Sequence, residues 1–351
     1  MPQLTWIKAL KQGVLGAFLV AGFSGIGPGC RSNGETEQTV LGAWDVGDTC
    51  ESELTSGSHP PKGMLHVPAG GFWQGCSPDL CPACDGSDLA QGRSSEPCSE
   101  PQCHWCEGHG CMDGYPLRQR WLDSFAIDLV EVTVDEYESC VQAGACPEPL
   151  VEPSTGTGPV QCEGELSTWA RTCDSSRSLP VNCVSWFDAQ AYCLWRGKRL
   201  CSEAEWEKAA RGPADSRVFP WTDDSVSSDF FWGKEAEICD YALVMLLWGE
   251  PCESDLMAVG SRPEGASQYG VLDMTGSVAE WVEDWYEPSY YYYSPASNPS
   301  GPASGDHRGV RGGAFTSVPG EAHTAWRGNL PPATRYSDVG IRCCWSASRA
   351  R

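Results

Sequence analysis

The sequence is poor in basic residues, with 24 Lys and Arg against 47 Asp and Glu in 351 residues and a formal net charge of −23. Proteins that bind nucleic acid neutralise phosphates with clustered Lys and Arg, and no such cluster occurs here. We therefore expect no nucleic-acid partner. Long apolar runs are also missing, because no stretch after the N-terminal segment approaches the roughly 20 apolar residues of a membrane-spanning helix.

Cysteine, in contrast, is abundant. The chain has 20 Cys, and 41% of its residues are hydrophobic, which is the composition of a globular protein. So many cysteines would not remain free thiols in an ordinary cytosolic protein. The composition therefore predicts an oxidising compartment and a fold held by disulfides.

The N-terminal segment predicts export. Residues 1–29 contain Lys8 and Lys11, no acidic residue, and a Gly-rich apolar stretch that is uncharged from residue 12 onward. This order is typical of a secretory signal peptide, and its glycines and proline make it a poor membrane-spanning helix. Gly29 followed by Cys30 predicts a lipoprotein cleavage site with Cys30 lipidated. The alternative is ordinary cleavage with Cys30 free or disulfide-bonded. We expect an exported protein of the cell envelope, either held to a membrane only through that lipid or secreted.

Residues 30–62 are polar and rich in Gly, Ser, Glu and Pro, which predicts a flexible tether before a folded domain at 63–347. Three segments of this domain predict short helices, because each begins with a hydroxyl residue, has an acid three positions later and ends at a glycine. They begin at Thr133, Ser185 and Ser202 and end at Gly144, Gly197 and Gly212. Short strand-like runs (65–67, 125–127 and 258–259) lie between long loops. The predicted class is α+β, irregular and loop-rich.

Seven segments occur in an order that resembles the formylglycine-generating enzyme family, also called sulfatase-modifying factor domains. They are MLHVPAGGFWQGC (64–76), SFAIDLVEVTVDEY (124–137), PVNCVSWFDAQAYCLWRGKRLCSEAEWEKAARG (180–212), FPW (219–221), YGVLDMTGSVAEWVEDWY (269–286), RGVRGGAF (308–315) and VGIRC (339–343). The resemblance implies a loop-rich variant of the C-type-lectin fold. It also implies an oxidase that converts a substrate cysteine to formylglycine with O₂ and copper(I).

The copper ligands that the resemblance implies are missing. In the family, two cysteines shortly after the RGG strand hold Cu(I), which favours soft thiolates over oxygen ligands. No Cys occurs from residue 311 to 342, and the corresponding positions hold Ser317 and Ala322. His323 is the only borderline ligand nearby, and one imidazole does not make a Cu(I) site. We therefore expect no copper. The six scattered histidines also disfavour the iron-dependent branch of the family.

A calcium loop is better preserved. The resemblance implies that Ca²⁺ is held by the Asp273 side chain, the Gly276 and Val278 carbonyls and the Glu280 carboxylate, which are hard oxygen donors suited to this ion. Ser277 replaces the usual Asn beside them. The alternative is that Asp273 caps a turn and Glu280 pairs with an arginine.

The resemblance also pairs Cys193 with Cys343. Cys201 and Cys344 are additions to the family pattern, each next to one member of that pair, so a second bridge between them is possible. Two further pairs flank a turn or a loop and are predicted to close locally; they are Cys140 with Cys146 and Cys239 with Cys252.

A Cys-rich insert spans residues 76–111 and holds two CxxC pairs, at 81–84 and 103–106. In a cytosolic protein this spacing is typical of a zinc ribbon. In an exported protein we favour disulfides, with structural zinc or a redox dithiol as alternatives. We expect the insert to be a surface elaboration.

The sequence leaves three functions open. The favoured one is an exported, lipid-anchored, non-catalytic scaffold, stabilised by calcium and binding a protein, peptide or glycan. The first alternative is a formylglycine-generating oxidase with a rearranged site. The second is a thiol-redox protein that uses the CxxC insert.

Overall fold

A computed structural model describes residues 59–76, 112–149, 162, 167–171, 174–213, 217–222, 235–246 and 249–347. The predicted signal peptide, Cys30, most of the tether and the CxxC pairs lie outside the described residues. No helix in the described part of the chain is long and apolar enough to cross a membrane.

The three predicted helices are confirmed. They are Val134–Gln142 (α1), Trp186–Trp195 (α2) and Glu203–Arg211 (α3), and Thr133, Ser185 and Ser202 each close a capping box at the start. In each box the hydroxyl accepts the N–H of the acid three residues on, and that acid accepts the cap N–H. Gly144, Gly197 and Gly212 follow with positive φ, which glycine adopts without steric cost. A fourth, one-turn helix, Tyr290–Tyr293 (α4), is formed by the four consecutive tyrosines.

Ten short strands form three sheets. The strands are Met64–Val67 (β1), Gly70–Gln74 (β2), Arg118–Leu122 (β3), Phe125–Asp128 (β4), Arg199–Leu200 (β5), Ala279–Trp285 (β6), Arg308–Arg311 (β7), Gly328–Leu330 (β8), Val339–Gly340 (β9) and Cys343–Trp345 (β10). One four-stranded sheet has the order β1-β4-β10-β5, and the other has the order β8-β7-β6-β9. β2 and β3 form a separate antiparallel pair. The predicted strand at 258–259 is wrong, because the Val259 N–H makes a single bond to the Ser178 carbonyl instead of joining a ladder.

The core has two main parts. One packs α1 and α2 against β6 and β7, and the other packs α3 under β1, β4 and β10. Trp281 and Trp206 are their largest apolar side chains and are each 1% exposed. With so little regular structure, large aromatic rings fill the space between the sheets, as expected for a loop-rich fold.

Five disulfides tie the described residues together. All four pairs named from the sequence are present: Cys140–Cys146, Cys193–Cys343, Cys201–Cys344 and Cys239–Cys252. A fifth, Cys162–Cys183, was not predicted. Cys343 and Cys344 are consecutive on β10 and point to opposite faces of the strand, so the two long-range bridges clamp β10 to α2 and to the chain before α3.

Candidate functional site

The segment that corresponds to the copper site follows β7. Ser317 is half-buried, its N–H donates to the Ala314 carbonyl and its carbonyl accepts from the Met245 N–H. Ala322 is fully buried and packs in an apolar cluster with Val218, Phe219, Ile238, Ala242 and Val244. A methyl group in a hydrocarbon core replaces what would have to be a thiolate in a polar cleft.

The ten cysteines of the five disulfides supply no thiol to replace the missing pair. Cys201 and Cys344, the two additions to the family pattern, are bonded to each other and are 1% and 0% exposed. His323 is 4% exposed, and its Nδ1 accepts the Ala325 N–H at 3.2 Å, so this nitrogen is already used. These residues do not fit Cu(I), which needs soft donors that are free to bind it.

The loop predicted to hold calcium is tightly fixed by its backbone. Asp273 and Ser277 have φ values of 56° and 59°, and Gly276 has a φ of 75°. A Cβ on Gly276 would lie 2.1 Å from the Leu243 carbonyl oxygen, so this position requires glycine. The Gly276 N–H donates to Gly312 O, and the Ser277 N–H donates to Leu243 O. The loop is therefore held between the start of the copper-site segment and the strand-like residues near 243.

Glu280, the charged ligand in the predicted set, is engaged elsewhere. Arg342 Nη2 lies 2.7 Å from Glu280 Oε1, Arg342 Nε donates to both carboxylate oxygens, and Trp206 Nε1 donates to Oε2 at 2.5 Å. Asp273 Oδ2 accepts the Gly260 N–H at 2.5 Å. Ca²⁺ needs several uncommitted oxygens, and a guanidinium against Glu280 repels a cation.

The donor set therefore does not fit calcium as the side chains stand, and the alternative pairing of Glu280 with an arginine is the one observed. Among the described residues, no group of three or more His, Cys, Asp and Glu side chains has the geometry to hold a metal ion. Calcium binding stays a prediction without a contact that supports it.

Glu131 is a buried carboxylate that the sequence did not single out. It is 1% exposed, and neither of its oxygens has a hydrogen-bond partner. Ser277 approaches it without the geometry of a hydrogen bond, and Arg342 Nη2 lies 4.0 Å from Oε2. Burial first, and the nearby Asp273 carboxylate second, hold the pKa of Glu131 well above its usual range.

A larger ionic network fills the space between α3 and β7. Arg327 makes a two-bond pair with Glu203, and Arg311 Nη2 lies 2.9 Å from Glu207 Oε2. Tyr291 Oη also donates to Glu207. Although burial raises the pKa of Glu203, Arg327 and Arg311 together hold it below its usual value.

These buried charges are paired, so the network is structural. Arg311 and Arg342 pair with buried carboxylates, whereas Arg308 lies between the rings of Trp186 and Trp285, at 3.8 and 3.6 Å from their centroids.

Comparison with known proteins identifies the family. The sulfatase-modifying factor enzyme 1-like domain matches residues 52–347, which is most of the chain. The chain belongs to this family.

A formylglycine-generating enzyme of Streptomyces coelicolor is 36% identical over 168 residues, 47% of this chain and 52% of the relative. The hercynine oxygenase of Mycolicibacterium smegmatis is 30% identical over 259 residues, 68% of this chain and 57% of the relative. The chain thus spans about half the length of these curated relatives. The two relatives differ in the activity that they are named for.

The fold is confirmed by a solved structure. PvdO from Pseudomonas aeruginosa superposes with a TM-score of 0.54 at 23% identity, covering 81% of this chain and 94% of PvdO. The irregular, loop-rich α+β fold predicted from the sequence is therefore that of the formylglycine-generating enzyme family.

Proposed function

We propose that this chain is an exported, non-catalytic member of the family that serves as a binding scaffold, anchored to a membrane by a lipid on Cys30. The observation that carries the proposal is the position of Ala322. It is fully buried among hydrocarbon side chains, so it supplies neither a metal ligand nor a lining for a polar cleft. A closed apolar site of this kind supports scaffolding over copper chemistry.

The remaining candidate thiols support the same proposal. Cys201 and Cys344 are consumed in a buried disulfide, and a disulfide sulfur is not a thiolate ligand. Any oxidase activity would need a thiol outside the five disulfides, such as one from the Cys-rich insert that begins at Cys76. The formylglycine-generating alternative keeps one specific argument, the 36% identity to the Streptomyces enzyme. No observation among the described residues supports the redox alternative.

The test is a Cu(I) titration followed by mass spectrometry of a CxPxR-type peptide, with the Streptomyces coelicolor relative run in parallel as the positive control. We expect no stoichiometric copper and an unchanged peptide cysteine, while the control converts its peptide. Conversion by this chain would refute the proposal. Alkylation of the native protein separately tests the redox alternative, which predicts a reactive, reducible pair.

The calcium prediction needs a separate test, because the protein could serve as a binding scaffold with or without the ion. Glu280 is already neutralised by Arg342, so we expect excess EDTA to lower the Tm by less than about 2 °C, which corresponds to about 1 kcal/mol or less. A clearly larger drop that calcium reverses and magnesium does not would show that Glu280 leaves Arg342 to bind the ion.

A further inference from the structure

The outer face of the β2–β3 pair carries two exposed tryptophans. Trp121 is 51% exposed and Trp73 is 38% exposed. In the strand register, Trp73 lies opposite Gln119 and Trp121 lies opposite Gly71. The two residues are therefore diagonal neighbours on one face, a position at which Cα atoms lie about 7–8 Å apart. Large apolar side chains that are exposed next to each other are uncommon on a protein surface and indicate a binding site.

The face continues onto a third segment. Ser297 forms a parallel bridge with Trp121, and the Trp121 N–H donates to the Ala296 carbonyl at 2.8 Å. Ser297 is exposed and points to the same side as Trp121. We call the set Gly71, Trp73, Gln119, Trp121 and Ser297 the tryptophan face.

Gly71, which lies opposite Trp121 and two residues before Trp73, leaves a notch in this face. A Cβ on Gly71 would meet only the Arg120 carbonyl oxygen and Gln119 Nε2, each at 3.7 Å, so no indole atom covers this position. The floor of the notch is backbone, and the Gln119 amide, which can both donate and accept hydrogen bonds, stands at its edge.

The chemistry of the face indicates the kind of ligand. None of its five residues is charged, and the chain as a whole has a net charge of −23, which repels polyanions. An apolar ring surface beside an amide and a hydroxyl suits a ligand with both a C–H face and hydroxyl groups. A pyranose ring has both, and a β-linked oligosaccharide is a flat ribbon that matches a strand pair.

A peptide fits less well, because peptides that join a sheet need a free strand edge. The free edge of β3 is taken by the 296–298 segment, whose Asn298 N–H donates to the Trp121 carbonyl. The other edge, along β2, lies against α3, where Lys208 Nζ donates to the Gly70 carbonyl at 3.1 Å.

We propose that the tryptophan face binds a neutral, β-linked oligosaccharide, with sugar rings stacked on Trp73 and Trp121 and a hydroxyl bound by the Gln119 amide. This proposal rests on the scaffold function and names its ligand class and surface.

The test is isothermal titration calorimetry of the whole protein with cellohexaose and with chitohexaose. Maltohexaose, which is α-linked and coiled, tests shape; a hyaluronan hexamer tests charge; poly-L-proline tests the peptide alternative. We expect saturable binding of at least one β-linked neutral hexamer, with weaker or no binding of the other three. Each of Trp73→Ala and Trp121→Ala should raise the Kd about tenfold, as expected for the loss of a stacked ring.

Two further variants sharpen the result. Trp195→Ala removes a tryptophan that is 36% exposed on α2, far along the chain from this face, and should leave the Kd unchanged. Gly71→Val keeps both indoles but fills the notch, and its Cβ has room, so it should weaken binding without unfolding the protein. Equal binding by Trp121→Ala and wild type, absence of heat with both β-linked hexamers, or preferential binding of poly-L-proline would each overturn the proposal. Such a result leaves the non-catalytic function standing, since only peptide conversion refutes that.

Discussion

The Asp113 carboxyl lies in the turn Met112–Gly114, where Tyr286 Oη donates to Oδ2 and Oδ1 has no hydrogen-bond partner. Burial raises its pKa to about 6, although Arg327 acts to lower it. The folded state then holds a proton that the unfolded state, at an ordinary pKa of 3.8, has already lost. Its stabilising effect is full below about pH 4 and is lost as the pH rises to about 6.

Asp113→Asn should remove this pH dependence, because the amide still accepts from Tyr286 and carries no charge. We expect the variant to gain about 1–3 kcal/mol over wild type at pH 7 and little at pH 4, since two pKa units correspond to about 3 kcal/mol. Urea unfolding of both proteins from pH 4 to 7 measures the difference. A difference that does not change across that range would contradict the assigned pKa.

Arg342 is the ion-pair partner of Glu280, the charged residue of the predicted calcium loop. Besides Glu280, it donates to the carbonyls of Asp128 and Leu272, and it is 1% exposed. Arg342→Met should cost about 3–5 kcal/mol, because Glu280 is left charged and buried without its partner.

The matched control is the double variant Arg342→Met with Glu280→Leu, in which both charges are gone. We expect it to recover part of the lost free energy of unfolding, although Trp206 Nε1 then loses its acceptor. A double variant that is less stable than Arg342→Met alone would show that Glu280 is stabilised by something other than Arg342.

At the scale of the element, α3 shows how local sequence signals cooperate with packing. Ser202 caps it, and the Glu205 carboxylate accepts the Ser202 N–H at 2.8 Å. Eight of its nine residues are buried, including Glu203, Glu207 and Lys208. The cap therefore starts a helix whose polar side chains depend on partners elsewhere in the chain.

Ser202→Ala should destabilise the protein by about 1–2 kcal/mol, because it leaves the Glu205 N–H without its acceptor in a buried place. Ser139→Ala is the control, since Ser139 is exposed within α1 and its hydroxyl bonds only to the Asp135 carbonyl one turn back. It should change stability by no more than about 0.5 kcal/mol. Thermal and urea unfolding measure both, and equal effects would contradict the role of the cap.

The helices could be predicted because each capping box lies within four consecutive residues, so a local pattern contains the whole cause. The strand predicted at 258–259 could not be judged this way, because a run of two residues forms a strand only if a partner strand lies beside it. The tryptophan face could not be predicted for the same reason, since it also depends on a partner strand. Trp73 looks like a core residue in its own segment, and only the register with β3, set across the Cys-rich insert, places it outside.

At the candidate site, too, features with a local cause could be predicted and features that depend on tertiary packing could not. The lack of copper ligands is visible in the sequence, since cysteine is simply not there between 311 and 342. The partner of Glu280 was only an alternative, because Arg342 is 62 residues away and the choice between a cation and a guanidinium depends on tertiary packing. Glu131 was missed for the same reason, as no local pattern marks a carboxylate that will lack hydrogen-bond partners after folding.

At the scale of the whole molecule, the two disulfides on β10 are coupled. Cys193–Cys343 spans 150 residues and Cys201–Cys344 spans 143. Once either bridge has closed this long loop, the other closes only a small additional ring of about ten residues. Removing one bridge therefore leaves most of the constraint in place.

We predict that replacing either pair with alanine costs roughly 3 kcal/mol, whereas replacing both costs roughly 7–8 kcal/mol, more than the sum of the two. Urea unfolding of the two double-alanine variants and of the quadruple variant tests this. Additive losses would mean that the bridges act through local packing and not through loop closure.

The position of β10 also affects how the protein is made. It lies between β4 and β5 in its sheet, yet it is the last of the four strands in the chain. A nascent chain therefore exposes the inner edges of β4 and β5 throughout most of its synthesis, with the strand that separates them still on the ribosome. Unpaired edges of this kind attract other chains. We therefore expect the unfinished chain to aggregate unless a chaperone holds it until its final strand is available.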